Sequence, residues 1–245
     1  MNNRTFTHIS IFLSLTITKI ADFLLPKEKD VKILESFGPD GLFDNIPRSE
    51  NFDFETDKIK AIFNYKTPLC RQAIWEVKYR ANKKLIRDFS LLLYEYILEE
   101  LTDLETFNNF KNIILLPVPS SPKRTREKGF NQCILICQEL IKIDEKINQP
   151  HIRHGVYGVL EKNFSLEKNI LIKIKETEHQ VNIQDRRNRL KNLSDSFFVK
   201  NEDLIKGKNI ILIDDVLTTG ATLNEAKKIL KNSGARKIIA FTIAH

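Results

Sequence analysis

The fold is decided by the stretch Ile210-Ile211-Leu212-Ile213-Asp214-Asp215-Val216-Leu217-Thr218-Thr219-Gly220-Ala221-Thr222. Its first four residues are branched and apolar, which predicts a buried strand of a parallel sheet that is covered on both faces. Two adjacent acids follow, and a short turn of threonine and glycine then leads into an amphipathic helix. The stretch therefore places paired carboxylates and a phosphate-sized turn directly after a strand.

The residues after this stretch complete a β-α-β unit. One face of the predicted helix is apolar and consists of Leu223, Ala226, Ile229 and Leu230. Ser233-Gly234 predicts the end of that helix, and the β-branched run Lys237–Ala244 predicts the next strand. Because ligands of open parallel sheets bind beyond the carboxyl ends of the strands, the two acids are expected at a ligand site.

The residue types of the turn suit a phosphorylated sugar. At a strand end, Asp214 and Asp215 can face solvent, ribose hydroxyls or a bound Mg²⁺. Residues 218–222 lie at a helix start, where free N–H groups and the helix dipole attract phosphate, and Gly220 permits a tight backbone. One alternative is an ordinary loop with Thr222 as helix N-cap. Another is a Walker-B-like strand, which needs a G-x-x-x-x-G-K-S/T loop that the sequence lacks.

Two basic segments accompany this motif. The apolar run 113–119 predicts a second strand, and four basic residues follow it within six positions: Lys123, Arg124, Arg126 and Lys128. Such a cluster is usually a solvated face, but at a second strand end of the same sheet it is well placed to bind pyrophosphate oxygens. The segment 178–192 is polar and basic, and by itself it predicts a surface loop or a short helix.

Residues 211–222 closely resemble the phosphoribosyl pyrophosphate (PRPP) motif of type I phosphoribosyltransferases. The resemblance implies an α/β fold in which a parallel sheet is flanked by helices, with a helical or irregular N-terminal extension. It implies that the two acids bind the ribose hydroxyls, with Mg²⁺ reaching them through PRPP. It implies that the 5′-phosphate is wrapped by Thr218, Thr219, Gly220, Ala221 and Thr222.

The same resemblance assigns roles to the basic segments. The implied pyrophosphate-binding residues are Ser120, Lys123, Arg124 and Arg126. In this class of fold a flexible loop closes over PRPP and excludes water. That loop would carry Arg186 and Arg187 as candidate catalytic residues.

Several stretches together resemble the ComF family, a branch of phosphoribosyltransferase-like proteins linked to competence and DNA uptake. They are residues 117–119, 123–132, 180–188 with Phe197, and 211–222, and residues 73–79 are similar to the family's helical Lys-Tyr segment. Members typically carry a cysteine-rich zinc-binding module at the N-terminus. This chain has three cysteines and no C-x-x-C, so we expect no structural zinc. Cys133 and Cys137 are expected to be packing residues of a helix.

Patterning and composition divide the chain into two regions. Residues 9–25 predict an amphipathic helix that is too interrupted by charge to span a membrane. Residues 27–56 predict a linker or poorly regular cap. We therefore predict an N-terminal region over 1–57 and a phosphoribosyltransferase-like domain over 58–245. Three cysteines without paired spacing are typical of a reducing cytoplasm.

Two functions follow from these residues. The first is an enzyme that binds PRPP and Mg²⁺ and transfers the phosphoribosyl group to an acceptor with release of pyrophosphate. The second is a non-catalytic adaptor that binds PRPP or single-stranded DNA, with other DNA-uptake or recombination proteins as partners. The net charge of +7 permits nucleic-acid binding, although the phosphate cleft accounts for much of it. A regulator that senses purine status ranks last, because no helix-turn-helix is evident before residue 58.

Overall fold

The computed structural model describes residues 28–49, 59–108, 110–147, 164–174 and 196–245. These residues form the helices α1 (Glu28–Asn45), α2 (Pro68–Arg80), α3 (Lys83–Asn108), α4 (Pro122–Lys128), α5 (Gln132–Ile147) and α6 (Ala221–Asn232). They form the strands β1 (Ile59–Phe63), β2 (Ile113–Pro117), β3 (Phe164–Leu166), β4 (Leu171–Lys173), β5 (Phe197–Val199), β6 (Asn209–Val216) and β7 (Lys237–Ala244). A short 3-10 helix, Glu202–Leu204, precedes β6.

Five strands form one sheet in the order β1-β7-β6-β2-β3. Each neighbouring pair in this sheet is parallel, and β4 and β5 form a separate antiparallel pair. The strand of branched residues, β6, lies at the centre of the sheet, with β7 on one side and β2 on the other. The sequence prediction of an α/β fold with a parallel sheet flanked by helices is confirmed.

The sheet is covered on both faces because alternate residues of β6 carry apolar side chains to opposite sides. On one face, Ile211 and Ile213 share a core with α1, α2, α3 and α5, which contribute Leu34, Ile74, Phe89 and Ile136 among others. On the other face, Ile210 and Leu212 pack with β4, β5 and α6, and α6 contributes Leu223, Ala226 and Leu230. Both faces of β6 are therefore covered along its length. A polar side chain can reach solvent only at the carboxyl end of the strand.

The segment before β1 is more regular than the sequence predicts. A linker or poorly regular cap is expected over 27–56, but Glu28–Asn45 is helical, with a break at Gly38, where φ is 66°. Leu34 and Leu42 of this helix are fully buried in the same core as α3. The burial of these apolar side chains stabilises helical structure in a segment whose glycines and prolines indicate a loop.

Two other N-terminal predictions are untested. The predicted amphipathic helix over residues 9–25 lies outside the described residues, and so does the predicted boundary between residues 57 and 58. Among the described helices, none combines the length and the apolar character that a bilayer span requires.

The sequence predicts that residues 69–101 are helical and that they divide into two helices near residues 80–82. Helices α2 and α3 form there. The side chain of Thr67 accepts from the N–H of Cys70 and caps α2, and Pro68 occupies its first turn. Ala81 ends α2 in the left-handed conformation, with φ at 48°, which is uncommon for a residue other than glycine. This ending fixes the last turn of α2, from which Lys78 reaches the carboxyl edge of the sheet.

The carboxyl edge of the sheet is stepped at β6. Pro117, the last residue of β2, pairs with Ile213, whereas β6 continues to Val216 beside β7. Asp214 and Asp215 therefore extend past the end of β2 while they still belong to a strand. On the side of β2, the two acids therefore lie beside the loop and helices that follow β2 rather than beside a strand.

Candidate functional site

Asp215 is held by two side chains from other elements. Lys78 Nζ of α2 lies 3.1 Å from Asp215 Oδ1, and the amide of Gln132 in α5 donates to Asp215 Oδ2 at 2.6 Å. Only 4% of Asp215 is exposed, so protein groups rather than water compensate its charge. Of the surroundings that a strand end allows, Asp215 has protein groups rather than solvent, because α2 and α5 close over it.

Asp214 retains partial solvent contact. Its Oδ1 accepts from the Cys133 thiol at 3.4 Å and from the backbone N–H of Asp215 at 2.9 Å. Burial of the carboxyl group and the adjacent Asp215 carboxylate raise the pKa of Asp214 to about 7, against the opposing attraction of Lys78. The two neighbouring acids are therefore unequal: Asp215 is an ion-paired carboxylate, and Asp214 titrates near neutral pH.

Lys78 remains a cation despite its surroundings. Burial by itself would lower the pKa of Lys78, but the attraction of Asp215, and then of Asp214, outweighs it, so the pKa lies above its ordinary value. The side chain of Lys78 is 25% exposed. Lys78 therefore places a positive charge beside the two acids, on the side of the site that α2 covers.

The start of α5 brings two further side chains to the acids. Asn131 caps the helix: its Oδ1 accepts from the N–H of Cys133 at 2.9 Å, and its Nδ2 donates to the carbonyl of Val118 at 3.0 Å. This cap fixes the helix start against the end of β2, so Gln132 and Cys133 lie beside Asp214 and Asp215. The amide oxygen of Gln132 is buried and has no hydrogen-bond partner among the described residues.

Helix α6 starts without a side-chain cap. Its N-cap is Gly220, whose φ of 73° lies in the left-handed region, and the N–H of Asn224 donates to the Gly220 carbonyl at 2.8 Å. Thr222 is therefore not the N-cap, which removes the alternative considered for this threonine. Backbone N–H groups at a helix start without a side-chain cap are suited to an anion.

The turn before α6 is anchored at one end and exposed in the middle. Leu217 is buried, and its N–H donates to the carbonyl of Ala244 in β7 at 2.8 Å. Thr218 and Thr219 are exposed, and the Thr219 hydroxyl lies 3.4 Å from the nitrogen of Ala221. A ligand that enters from solvent therefore meets two hydroxyls and the start of α6 next to Asp214.

The basic residues after β2 lie on the short helix α4, which carries their side chains on different sides. Ser121 caps α4 by accepting from the N–H of Arg124 at 3.4 Å. Arg124 and Lys128 are four residues apart and share one side of the helix. The positive charge of Arg124 and the negative charge of Asp215 both act on Lys128. Arg126 instead lines a separate cavity between α4, α5 and the β4–β5 pair.

Further cations surround the acids. Burial lowers the pKa of Lys128, and the nearby Lys78 lowers it further, while Asp215 opposes both effects. Burial also lowers the pKa of Lys173, the nearby Arg124 lowers it further, and Asp214 opposes both effects. The cleft thus gathers several cationic side chains around two carboxylates, a charge distribution suited to a ligand with more than one phosphate.

The two acids fit a metal ion to different degrees. Sγ of Cys133 and carboxylate oxygens of Asp214 and Asp215 lie within 4.8 Å of one another, the candidate group among the described residues. Mg²⁺ prefers carboxylate oxygens together with substrate phosphates, and Asp214 suits it. Asp215 does not fit a directly bound Mg²⁺ in this geometry, because Lys78 and Gln132 engage its two oxygens.

The structure brings many of the predicted ligand residues to one edge of the sheet. Those at or after the end of β6 are Asp214, Asp215, Thr218, Thr219, Gly220, Ala221 and Thr222. Ser120 follows the neighbouring strand β2, and Arg124 lies on the side of the acids. Lys123 is exposed, and Arg126 lies on another side of α4. Arg186 and Arg187 lie outside the described residues, so their role stays a prediction.

Sequence reasoning did not assign Lys78, Gln132, Cys133 or Lys173 to the site. Lys78 and Gln132 belong to stretches that resemble the ComF family, but neither stretch has a chemical pattern that indicates contact with Asp215. The expectation that Cys133 is buried in a helix is confirmed, although its thiol also contacts Asp214.

Comparisons with known proteins agree with this geometry. The phosphoribosyl transferase domain family matches residues 160–245, which include the acid pair and the turn after it. The Competence protein ComFC of Bacillus subtilis is 28% identical over 219 residues, which cover 76% of this chain and 80% of that protein. The chain is therefore similar to proteins of the ComF family. The Competence protein F of Haemophilus influenzae is 31% identical over 132 residues, 53% of this chain and 49% of that protein.

These relatives support the resemblance to the ComF family that the sequence carries. Among solved structures, a hypoxanthine phosphoribosyltransferase from Staphylococcus aureus matches with a TM-score of 0.35 and 11% identity, covering 64% of this chain and 62% of that one. Residue roles are not transferred at so low a similarity, so the site is described from its own contacts.

Proposed function

We propose that this protein binds PRPP with Mg²⁺ at the carboxyl edge of β6 and transfers the phosphoribosyl group to an acceptor. The reaction would contribute to DNA uptake. The observation that carries the proposal is the order of groups along one edge. Part-exposed Asp214 and ion-paired Asp215 end β6, and an uncapped helix start follows within six residues of Asp214. The role in competence is supported by the names of its relatives in Bacillus subtilis and Haemophilus influenzae.

The ribose would lie against the acid pair. Asp214 offers a part-exposed carboxylate, and Asp215 offers a carboxylate already fixed by Lys78 and Gln132. Hydroxyl groups donate well to carboxylates. The unpartnered amide oxygen of Gln132 is a further acceptor in the same place. These acceptors suit the vicinal hydroxyls of a ribose.

The two phosphate groups of PRPP would lie on opposite sides of the ribose. The 5′-phosphate would bind at the turn, where Thr218 and Thr219 offer hydroxyls and α6 offers backbone N–H groups. The pyrophosphate would lie towards β2, where Arg124 and Lys128 share one side of α4. Cations at that position would stabilise the negative charge that pyrophosphate gains as its bond to the anomeric carbon breaks.

Mg²⁺ would be held mainly by PRPP's own oxygens, with Asp214 as the protein group that suits it. We assign no reaction step to the ion. A closing loop with Arg186 and Arg187 would exclude water from the cationic ribose, and this part of the proposal rests on the family resemblance alone.

Calorimetric titration with PRPP and Mg²⁺ tests the proposal. We expect saturable binding by the wild type and a loss of at least about ten-fold in affinity, or about 1.4 kcal/mol, in Asp214→Asn/Asp215→Asn. Asp203→Asn, which removes one exposed acid on the 3-10 helix, is the surface control and is expected to bind normally. Pyrophosphate release from PRPP in the presence of candidate acceptors then separates an enzyme from a binding protein. Equal binding by the wild type and the double variant would contradict the proposed site.

A second candidate, binding of single-stranded DNA by an adaptor, is favoured by one observation. A cavity of about 860 Å³ beside the cleft is lined by Arg126, Phe130, Lys168, Lys173 and Lys200, among other residues. Basic grooves with an aromatic side chain suit single-stranded nucleic acid. Its partners would then be other DNA-uptake or recombination proteins.

Anisotropy of a labelled single-stranded oligonucleotide tests this candidate. We expect Lys168→Ala/Lys200→Ala to weaken binding and to reduce its salt dependence, because both lysines are exposed at the cavity. Lys228→Ala/Lys231→Ala, an exposed pair on α6, removes the same charge elsewhere. Equal losses from the two pairs would indicate non-specific attraction to a basic protein.

A further inference from the structure

Lys78 reaches Asp215 from a helix that other contacts hold in place. Four α2 residues are buried in the core: Cys70, Ala73, Ile74 and Val77. The position of α2 therefore does not depend on the ion pair. Ordering the long, flexible side chain of Lys78 at a buried carboxylate costs conformational entropy. The ion pair therefore serves to balance the charge of Asp215 rather than to place α2.

The contacts of Asp215 leave little room for a second cation. Lys78 Nζ lies 3.1 Å from Oδ1, and the Gln132 amide lies 2.6 Å from Oδ2. Two like charges in such proximity repel strongly at a partly buried site, and Mg²⁺ demands near-ideal octahedral geometry. Asp214 differs, because it accepts hydrogen bonds from a neutral thiol and a backbone N–H.

We propose that Lys78 is a positioning residue that acts as the resident counter-cation of Asp215 and keeps free divalent metal off that carboxylate. The ammonium balances the charge of the carboxylate and orients it for a ligand hydroxyl. A divalent ion then enters the site only with a phosphorylated ligand that brings its own oxygens. The ligand half of this inference rests on the proposed function, whereas the exclusion of free metal does not.

Titration of the full chain with Mn²⁺ alone, followed by electron paramagnetic resonance, tests the exclusion. We expect Lys78→Met to bind Mn²⁺ at least about ten-fold more tightly than the wild type, because Oδ1 of Asp215 becomes available beside Asp214. Lys78→Arg keeps the charge and is expected to behave like the wild type. Lys78→Met/Asp215→Asn is expected to lose the gain. Equal Mn²⁺ affinity in Lys78→Met and the wild type would overturn the proposal.

A second measurement does not require Lys78→Met to fold. In the otherwise wild-type chain, Asp215→Asn is expected to leave Mn²⁺ affinity unchanged within about two-fold, since Asp215 does not ligate free metal when Lys78 is present. A ten-fold loss would overturn the inference. The matched variant is Asp214→Asn, which removes the acid that suits the ion and is expected to weaken any residual Mn²⁺ binding.

A titration with PRPP separates this inference from the proposed function. If Lys78 supplies the positive charge at Asp215, the dependence of PRPP affinity on Mg²⁺ is expected to be steeper in Lys78→Met than in the wild type. An unchanged dependence would overturn the ligand half. Failure of the wild type to bind PRPP at any Mg²⁺ concentration would overturn both the proposed function and the ligand half. The Mn²⁺ titration would still decide the exclusion of free metal.

Discussion

Lys78 and Asp215 form an ion pair, with Nζ 3.1 Å from Oδ1, that joins helix α2 to the central strand β6. The pair is largely buried, and α5 completes it through Gln132. The helical layer on one face of the sheet therefore forms a wall of the site that the acid pair and the turn after it define.

Loss of the Lys78 charge is expected to destabilise the fold. Lys78→Met leaves Asp215 buried without its cation, and breaking buried pairs from one side costs several kcal/mol. Because Lys78 is one quarter exposed, we expect a smaller loss, about 1–3 kcal/mol in the free energy of unfolding by urea. Lys78→Arg should recover most of it. Equal stability of Lys78→Met and the wild type would mean that the pair contributes little.

Asp214 is expected to make the fold less stable as pH rises towards neutral. Its pKa is raised to about 7 in the folded protein by burial and by Asp215, from about 3.9 in an unfolded chain. Between these values the folded protein holds a proton that the unfolded chain has released, so the free energy of unfolding falls with rising pH. Between about pH 5 and about pH 8 we expect a fall of about 2–3 kcal/mol from this group.

Asp214→Asn should flatten that pH profile, as measured by urea unfolding across the same range. Asp203→Asn, at an exposed position on the 3-10 helix, should leave the profile unchanged. A profile with the same slope in Asp214→Asn as in the wild type would contradict the assignment.

Gly220 and Gly207 provide a matched pair of substitutions at the two ends of β6. Both have positive φ, 73° and 71°, and an added Cβ meets only ordinary contacts at Gly220 and open space at Gly207. Each change to alanine should therefore cost about 1 kcal/mol of stability from backbone strain alone. We expect Gly220→Ala to weaken PRPP binding in a calorimetric titration and Gly207→Ala to leave it unchanged. Similar effects on binding would show that the turn at Gly220 has no special role.

Arg124 and Arg126 should differ in their contribution because α4 carries them to different sides. Arg124→Ala is expected to reduce PRPP affinity by about ten-fold, the typical scale of a charge-assisted contact, since Arg124 lies on the side of the acids. Arg126→Ala should change PRPP affinity little and oligonucleotide affinity more, since Arg126 lines the neighbouring cavity. Competition titrations with both ligands check this division, and equal effects of the two variants on PRPP would refute it.

Much of the fold was predictable because it depends on local patterns. The branched run 210–213, the apolar face of α6 and the run Lys237–Ala244 each indicate their own element, and the structure assembles them as a β-α-β unit. The split between α2 and α3 was also predictable near residue 81. Glu28–Asn45 was missed because its helical structure depends on burial of a few apolar residues against α3 rather than on propensity.

The inner wall of the site was not predictable, because it depends on contacts between distant segments. Gln132 and Asp215 are 83 residues apart in the chain, and no spacing in the sequence indicates that they meet. The different orientations of Arg124 and Arg126 follow from the helical form of α4, which the proline and the charges in that segment do not indicate. The acid pair itself was predictable, because a strand end and a carboxylate pair are adjacent in the sequence.

A crystal structure with PRPP and Mg²⁺ would locate the ligand at or away from the acid pair. We expect ribose hydroxyl oxygens within hydrogen-bonding distance of Asp214 and Asp215, and the 5′-phosphate at the start of α6 beside Thr218 and Thr219. Electron density for PRPP at another surface, or an empty acid pair in crystals grown with saturating PRPP, would contradict it.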